Sequence, residues 1–371
     1  MQAANFAEGT PVPDAKRSRV MDVAAYSERH VALRVVYYGK RYHGFASQTG
    51  LKNVAAGSVR AGVAETVEDH LFRAFARTRL LLNAETCGYS RCGRTDAGVS
   101  ATGQIVALRL RASNRKGQPE DGVPLSPPDY INILNKQLPE DIRVLDWAFV
   151  PDSFSARFSC TGRLYHYYFP AVHCDSRTGC TAPLDIEAMR RAAASFVGVH
   201  NFRNFCRKDP SKPNQSCTRQ VFAAAVEPVA AMAGFYCFTV KGSAFLYHQV
   251  RCMMAVLFMV GHGSECESIV RELLARVESG PGDCSSGPLV YYEIAPETPL
   301  VLSQCFYDQI SIEWQCKGAL KVSVASHLAC LWQHHAAESL IMQELLPETP
   351  TGDGRSVVKG KLLNDLLRVA K

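Results

Sequence analysis

Apolar and polar residues alternate along this chain at two periods, and the two periods separate strands from helices. A β-branched and aromatic run at residues 31–38 predicts a first strand that turns at Gly39. Val63, Val67, Leu71, Phe72 and Phe75 recur at helical spacing, so residues 58–77 are predicted as an amphipathic helix. A short run at 86–92, a glycine-bounded loop at 93–98 and an apolar strand at 104–110 follow. Residues 112–127 read as a polar linker, 129–137 as a short helix and 142–149 as a strand.

The second half repeats the theme. Strands are predicted at 163–170, 218–226 and 236–240, and helices at 186–197, 244–260 and 268–277. Residues 280–300 are rich in glycine and proline, and 325–346 read as helix. Each half thus supplies strands interleaved with helices, which predicts an α+β protein of two similar lobes. The boundaries fall at 1–29 for a disordered polar tail, 30–150 and 151–310 for the lobes, and 311–371 for a helical C-terminal extension. The tail carries a basic cluster, Lys16, Arg17 and Arg19, which reads as a solvated charge run or a weak nuclear signal.

Composition narrows the class. The chain has 371 residues, 47% hydrophobic and 20% charged, with a net charge of +6. That balance permits nucleic-acid binding without demanding it, because binding needs clustered positive charge. None of the 14 cysteines stands in C-x-x-C spacing, so no zinc site is predicted, and free thiols in a reducing intracellular compartment are expected. The first thirty residues lack the apolar stretch of a secretory signal. The most apolar segment, 244–260, holds His248, Gln249 and Arg251 and is too short to span a membrane, so it is predicted as a core helix.

Three clusters carry candidate chemistry. In Cys92-Gly-Arg-Thr-Asp-Ala-Gly-Val99, glycines at 93 and 98 let Asp96 project from a tight loop, two residues from Arg94. A carboxylate beside a cation stays ionised and can act as nucleophile or base, although a lone acid in a turn is more often structural. Arg251 lies inside an apolar run, and a buried cation needs an acid or a wet cleft; Tyr247 and His248 fall on its predicted helical face. Strand alternation puts Arg163, Tyr165 and Tyr167 on one sheet face, after Arg157 and Phe158. Cations interleaved with aromatics suit stacking on an unpaired base, or equally cross-strand packing. These residues alone predict an acid, an arginine and a tyrosine that could converge in a cleft.

The same segments resemble, in order, the motifs of the TruA-type tRNA pseudouridine synthases. Tyr38-Gly39 with Tyr42-His43-Gly44-Phe45 resembles the family's first strand and turn, and Gly93–Val99 followed by Gly103-Gln104 its signature loop. Phe158-Ser159 with Arg163 and Tyr165 resembles the second motif; Ala244-Phe245 with His248, Val250 and Arg251 resembles the third. The likeness covers about residues 31–308. It is closer still to the eukaryotic branch acting on tRNA nucleotides 38 and 39 in the anticodon arm, through 89–96, 202–206, 245–254 and Leu331-Trp332. Ala97 replaces a lysine common in that branch, and 209–215 departs from its usual spacer.

The resemblance implies two lobes whose antiparallel sheets join into one bent sheet, with the active-site cleft between them. It implies isomerisation of uridine to pseudouridine in tRNA, with no cofactor and no metal. Asp96 would be the essential carboxylate, attacking the ribose or removing a sugar proton, and Arg251 would pair with it. Tyr165 would stack on the flipped base; Arg94, Phe245 and His248 would line the site, with Arg157 and Arg163 as contacts to the RNA backbone. A homodimer and a nuclear, cytoplasmic or mitochondrial setting are compatible with the family. Two rival readings are a catalytically silent RNA-binding protein on the same scaffold and a metal-dependent hydrolase built on the scattered Cys and His residues.

Overall fold

In the computed structural model, which describes residues 25–57, 65–81, 83–115, 129–174, 181–209, 211–212, 215–276, 290–315, 318–345, 349–350 and 356–357, most strands gather into one sheet. The first half runs β1 (Tyr26–Tyr37), α1 (Leu51–Ala55), α2 (Val67–Arg77), β2 (Ser90–Arg91), β3 (Ser100–Arg115), α3 (Tyr130–Asn135) and β4 (Ile142–Phe149). The second half opens with β5 (Gly162–Pro170), the small pair β6 (Val172–Cys174) and β7 (Thr181–Pro183), and α4 (Ile186–Ala194). It continues through β8 (Gly198–Asn201), β9 (Thr218–Pro228), β10 (Phe235–Gly242), α5 (Gln249–Gly261), α6 (Ile269–Ala275) and β11 (Leu300–Phe306). A long α7 (Gly318–Glu344) follows.

The strand order is β4-β1-β3-β11-β5-β10-β9-β8, with β2 added to β3. Neighbours are antiparallel except β3 and β11, which run parallel through Val301 opposite Ser100 and Leu302 opposite Ala101. The large sheet is therefore mixed: the strands of each half pair antiparallel, and only the seam between β3 and β11 runs parallel. No hairpin joins β3 to β11; they are far apart in sequence, so either direction is sterically open to them.

Local chemistry explains most boundaries. Thr66 and Asp69 form a reciprocal cap in which each side chain accepts the other's backbone N–H, and this starts α2. Its face Val67, Leu71, Phe72 and Phe75 is fully buried, each residue contributing about 1.5–3 kcal/mol. Asp129 and Asp185 cap α3 and α4 by a single bond each, accepting the backbone N–H of Asn132 and of Ala188. Along β1, Val31, Leu33 and Val35 enter one core while Ala32 enters another on the opposite face, as a period of two requires. Two large cores result, one formed with α2 and α3 and the other with α4, α5 and α6; Tyr165 packs against both.

Several elements differ from the pattern reading. β1 starts at Tyr26 and β3 extends to Arg115, because Tyr26 and Glu28 pair with Arg115 and Arg111. β8 and β11 carry no strong period and emerge only through pairing. The buried helix begins at Gln249 rather than 244, and is a core helix as expected; no described helix is long and apolar enough to cross a membrane. The helix expected from 58 is described only from Val67, and residues 58–64, the basic cluster at 16–19 and residues 280–289 lie outside the described residues. Nine described cysteines are free thiols, but Cys217 is disulfide-bonded, which corrects the expectation of free thiols throughout.

Candidate active site

The middle of the sheet, where β3, β11 and β5 lie side by side, is where the three sequence clusters meet. Leu302 pairs with Ala101 on one side and Tyr165 on the other. The loop carrying Asp96 leads directly into β3. Gln104, fully buried, holds this loop by donating to the Gly93 carbonyl at 2.9 Å and accepting from the Gly93 N–H at 3.3 Å. Farther along, Phe45 N–H donates to the Thr95 carbonyl, Gly98 N–H to the Tyr42 carbonyl, and the Thr95 hydroxyl meets that of Tyr37 at 2.8 Å. The first-strand turn and the signature loop thus form one unit. Gly39 is required there, since a Cβ would overlap the Val99 carbonyl.

Asp96 retains 23% side-chain exposure. Burial lifts its pKa to about 6; Arg251 and Arg94 pull it down, while Glu297 and Asp209 push it up. Its nearest charged-type neighbour is His248, whose Nε2 lies 3.6 Å from Oδ2. Burial, with Arg251 and Arg207 nearby, lowers the His248 pKa to about 4, so the imidazole is neutral at pH 7. His248 occupies the left-handed region at φ 62°, just before α5, and its ring stacks on Tyr247. That turn, not a helix face, brings the histidine to Asp96, and it stores roughly 1–3 kcal/mol of backbone strain.

Arg251 does not pair with Asp96 as the sequence led us to expect. Its guanidinium, 11% exposed, donates to the Ala295 carbonyl at 2.7 Å and to the Glu297 carboxylate at 2.8 Å. Glu297 packs so closely over Gly98 that a Cβ there would overlap its side chain. The acid nearest to the guanidinium therefore comes from the segment before β11, and Asp96 feels Arg251 only through space. Arg94 likewise reaches across to the second half, donating to Asp209 at 3.2 Å and to Ser211 at 3.3 Å.

Tyr165 is brought to the loop as expected: its hydroxyl lies 4.0 Å from where a Gly93 Cβ would stand, and Phe245 meets its ring edge-on at 5.2 Å. Burial holds the phenol protonated, well above its ordinary pKa. Arg163 is not free for a substrate. It donates to the carbonyls of Ser243 at 2.6 Å, Cys92 at 3.1 Å and Arg157 at 3.1 Å, stapling three segments around the site. Arg157 is exposed and lies over the Phe158 ring at 5.2 Å. Glu297 and Asp209 were missed from sequence because nothing in their local pattern marks an acid that acts across the sheet. A polar cavity of about 480 Å³ lined by Glu28, Arg29, His30 and Arg109 lies at the opposite end of β1, roughly 25 Å from Tyr37, and is separate from this site.

One carboxylate walled by a tyrosine and a phenylalanine and flanked by arginines suits chemistry on an anionic, aromatic-bearing substrate, as a nucleotide is. Comparison with known proteins agrees. Residues 192–308 match a family model described as tRNA pseudouridine synthase. The chain is 39% identical to the tRNA pseudouridine(38/39) synthase of Bos taurus, over 92% of this chain and 68% of the relative. It is 34% identical to the Saccharomyces cerevisiae protein of the same name, over 93% and 76%, and 30% identical to tRNA pseudouridine synthase A of Methanosphaera stadtmanae, over 77% and 86%. The chain belongs to the tRNA pseudouridine synthase family, isomerases that convert uridine to pseudouridine. It spans about two thirds of the length of its mammalian relatives.

Proposed function

We propose that this chain isomerises uridine at positions 38 and 39 in the anticodon arm of tRNA, with Asp96 as its catalytic carboxylate. The observation that carries the reading is the placement of Asp96, in a loop fixed at both ends, near a half-buried tyrosine and two arginines. The names of its eukaryotic relatives supply the target positions. The reaction is balanced without hydrolysis or redox change. The bond from C1′ to N1 breaks, a bond from C1′ to C5 forms, the C5 proton leaves to solvent and N1 gains one. Asp96 starts the sequence in its ionised form, by attacking C1′ or by removing a sugar proton. Tyr165 and Phe245 offer aromatic faces that offset the unstacking of the target base, an expense of a few kcal/mol. Arg251 and Arg94 stabilise the carboxylate charge, and neutral His248 lines the pocket.

In this reading, residues 30–150 and 151–310 act as two lobes that bound a cleft over the middle of the sheet, with tRNA laid across it. Two copies of the chain associate, using apolar side chains that α7 leaves exposed, among them Trp332, Leu340 and Met342. The direct test is release of tritium from tRNA labelled at uridine C5, with Asp96→Ala alongside. Release by wild type alone supports both the activity and the role of Asp96. No release from tRNA that still binds overturns the proposal in favour of a silent RNA-binding protein.

A further inference from the structure

Phe158 is the most exposed of the large apolar side chains described, at 82%. Its backbone is not loose. Ser155 Oγ accepts the Phe158 N–H, Ser159 Oγ accepts the Ser155 N–H, and the Ser159 N–H donates to the Ser155 carbonyl. Ala156 next to it is fully buried: its N–H donates to Ser90 Oγ at 3.0 Å, and its carbonyl accepts the Tyr307 hydroxyl at 2.6 Å. Folding thus fixes a phenyl ring in water, with an exposed arginine rather than the core against it.

The ring's position is also fixed relative to Asp96. One guanidinium nitrogen of Arg163 donates both to the Arg157 carbonyl and to the Cys92 carbonyl, so this turn and the Asp96 loop hang on the same atom. The charges around it are positive. Arg157 lies against the ring, and burial lowers the Lys212 pKa, with Arg157, Arg94 and Arg219 lowering it further against the opposing pull of Asp209. Neither Arg157 nor Lys212 has a carboxylate within ion-pair distance among the described residues. An aromatic face with unpaired cations on its rim is the pattern that single-stranded nucleic acid selects: a base stacks and the adjoining phosphates are neutralised. A protein partner would ask for neighbouring apolar surface, and the residues flanking Phe158 offer charge instead.

We propose that Phe158 is a stacking post for an unpaired nucleotide adjoining the target uridine, with Arg157 and Lys212 holding its phosphates. This assignment rests on the synthase reading above and adds a residue that binds a base other than the one isomerised. It sets which loop sequences are good substrates, through stacking strength.

The test uses anticodon stem-loop RNA carrying 2-aminopurine in turn at each unpaired nucleotide flanking the target, bound to the full chain with Asp96→Ala to hold turnover at zero. One labelled position should quench on binding, and the quench should vanish with Phe158→Ala. With Asp96 intact, Phe158→Ala should raise KM roughly tenfold to a hundredfold and change kcat much less. Phe158→Trp should restore KM, whereas Phe158→Leu, equally apolar but without a π face, should not. Unchanged quench and KM in Phe158→Ala, with wild type active, overturn the proposal. So does full rescue by leucine. If wild type forms no pseudouridine, the synthase reading fails, while the quenching titration still decides whether Phe158 meets a base.

Discussion

Asp96 is placed where a carboxylate is uncomfortable, and the consequences run in opposite directions for stability and for activity. Its folded pKa of about 6 exceeds the ordinary value of 3.8. The folded chain therefore holds this proton more tightly than the unfolded chain, and stability falls as pH rises from about 4 to about 6. Asp96→Asn should be inactive yet about 1–3 kcal/mol more stable than wild type at pH 7, with the gain absent below about pH 4; urea titrations at both pH values check this. The proposed mechanism uses the ionised form, so kcat/KM of wild type should rise with pH through about 6. Glu297 raises the Asp96 pKa and Arg251 lowers it. The acid limb of the pH–rate profile should hence move to lower pH in Glu297→Gln and to higher pH in Arg251→Gln. Movement in the same direction in both would refute the assignment of Asp96 to that limb.

Of the elements, those with strong periods or caps were legible from the chain alone. β4 fell at residues 142–149 as expected, and α4 began at Ile186, where Asp185 caps it. The site was legible as a set of residues but not as a network. The Tyr165 hydroxyl does come to Gly93 in the loop that carries Asp96, while Arg251 and Arg94 turn to Glu297 and Asp209, acids whose surroundings carry no period or motif. The helix start was misjudged because the residues from Ala244 to His248 are as apolar as the helix they precede; only the left-handed φ of His248 separates them. β11 was missed since its apolar run lasts only three residues, Leu300 to Leu302, before Ser303 and Gln304 end it. Gly103 is what lets β11 lie against β3, because a Cβ there would overlap the Ser303 carbonyl and approach Gln304 Cα at 2.9 Å. Gly103→Ala should lose about 1–3 kcal/mol and most of its activity together, as read by thermal unfolding and tritium release.

For the molecule as a whole, the mild net charge of +6 matters less than its distribution. Arg157, Arg94 and Arg219 all lie near enough to Lys212 to act on its charge, with Asp209 as the one acid named among them. Affinity for tRNA should fall linearly with salt on logarithmic axes, and Arg157→Gln should reduce that slope by about one. Filter binding between low and physiological salt reads it directly. Association of two copies is testable in the same preparation: light scattering should report a dimer for wild type and a monomer for the double variant Trp332→Glu, Met342→Glu, since α7 exposes both side chains.

The position of β11 in the chain gives the site an order of birth. Synthesis proceeds from the N-terminus, and domains tend to fold as they emerge. The acid at 96, the tyrosine at 165 and the arginine at 251 have all left the ribosome well before Leu300, the first residue of the strand between β3 and β5. Until that strand arrives, the two groups of strands have no hydrogen-bonded seam, and Glu297 is absent from Arg251. The proposed site therefore stays unassembled until this one seven-residue strand has emerged.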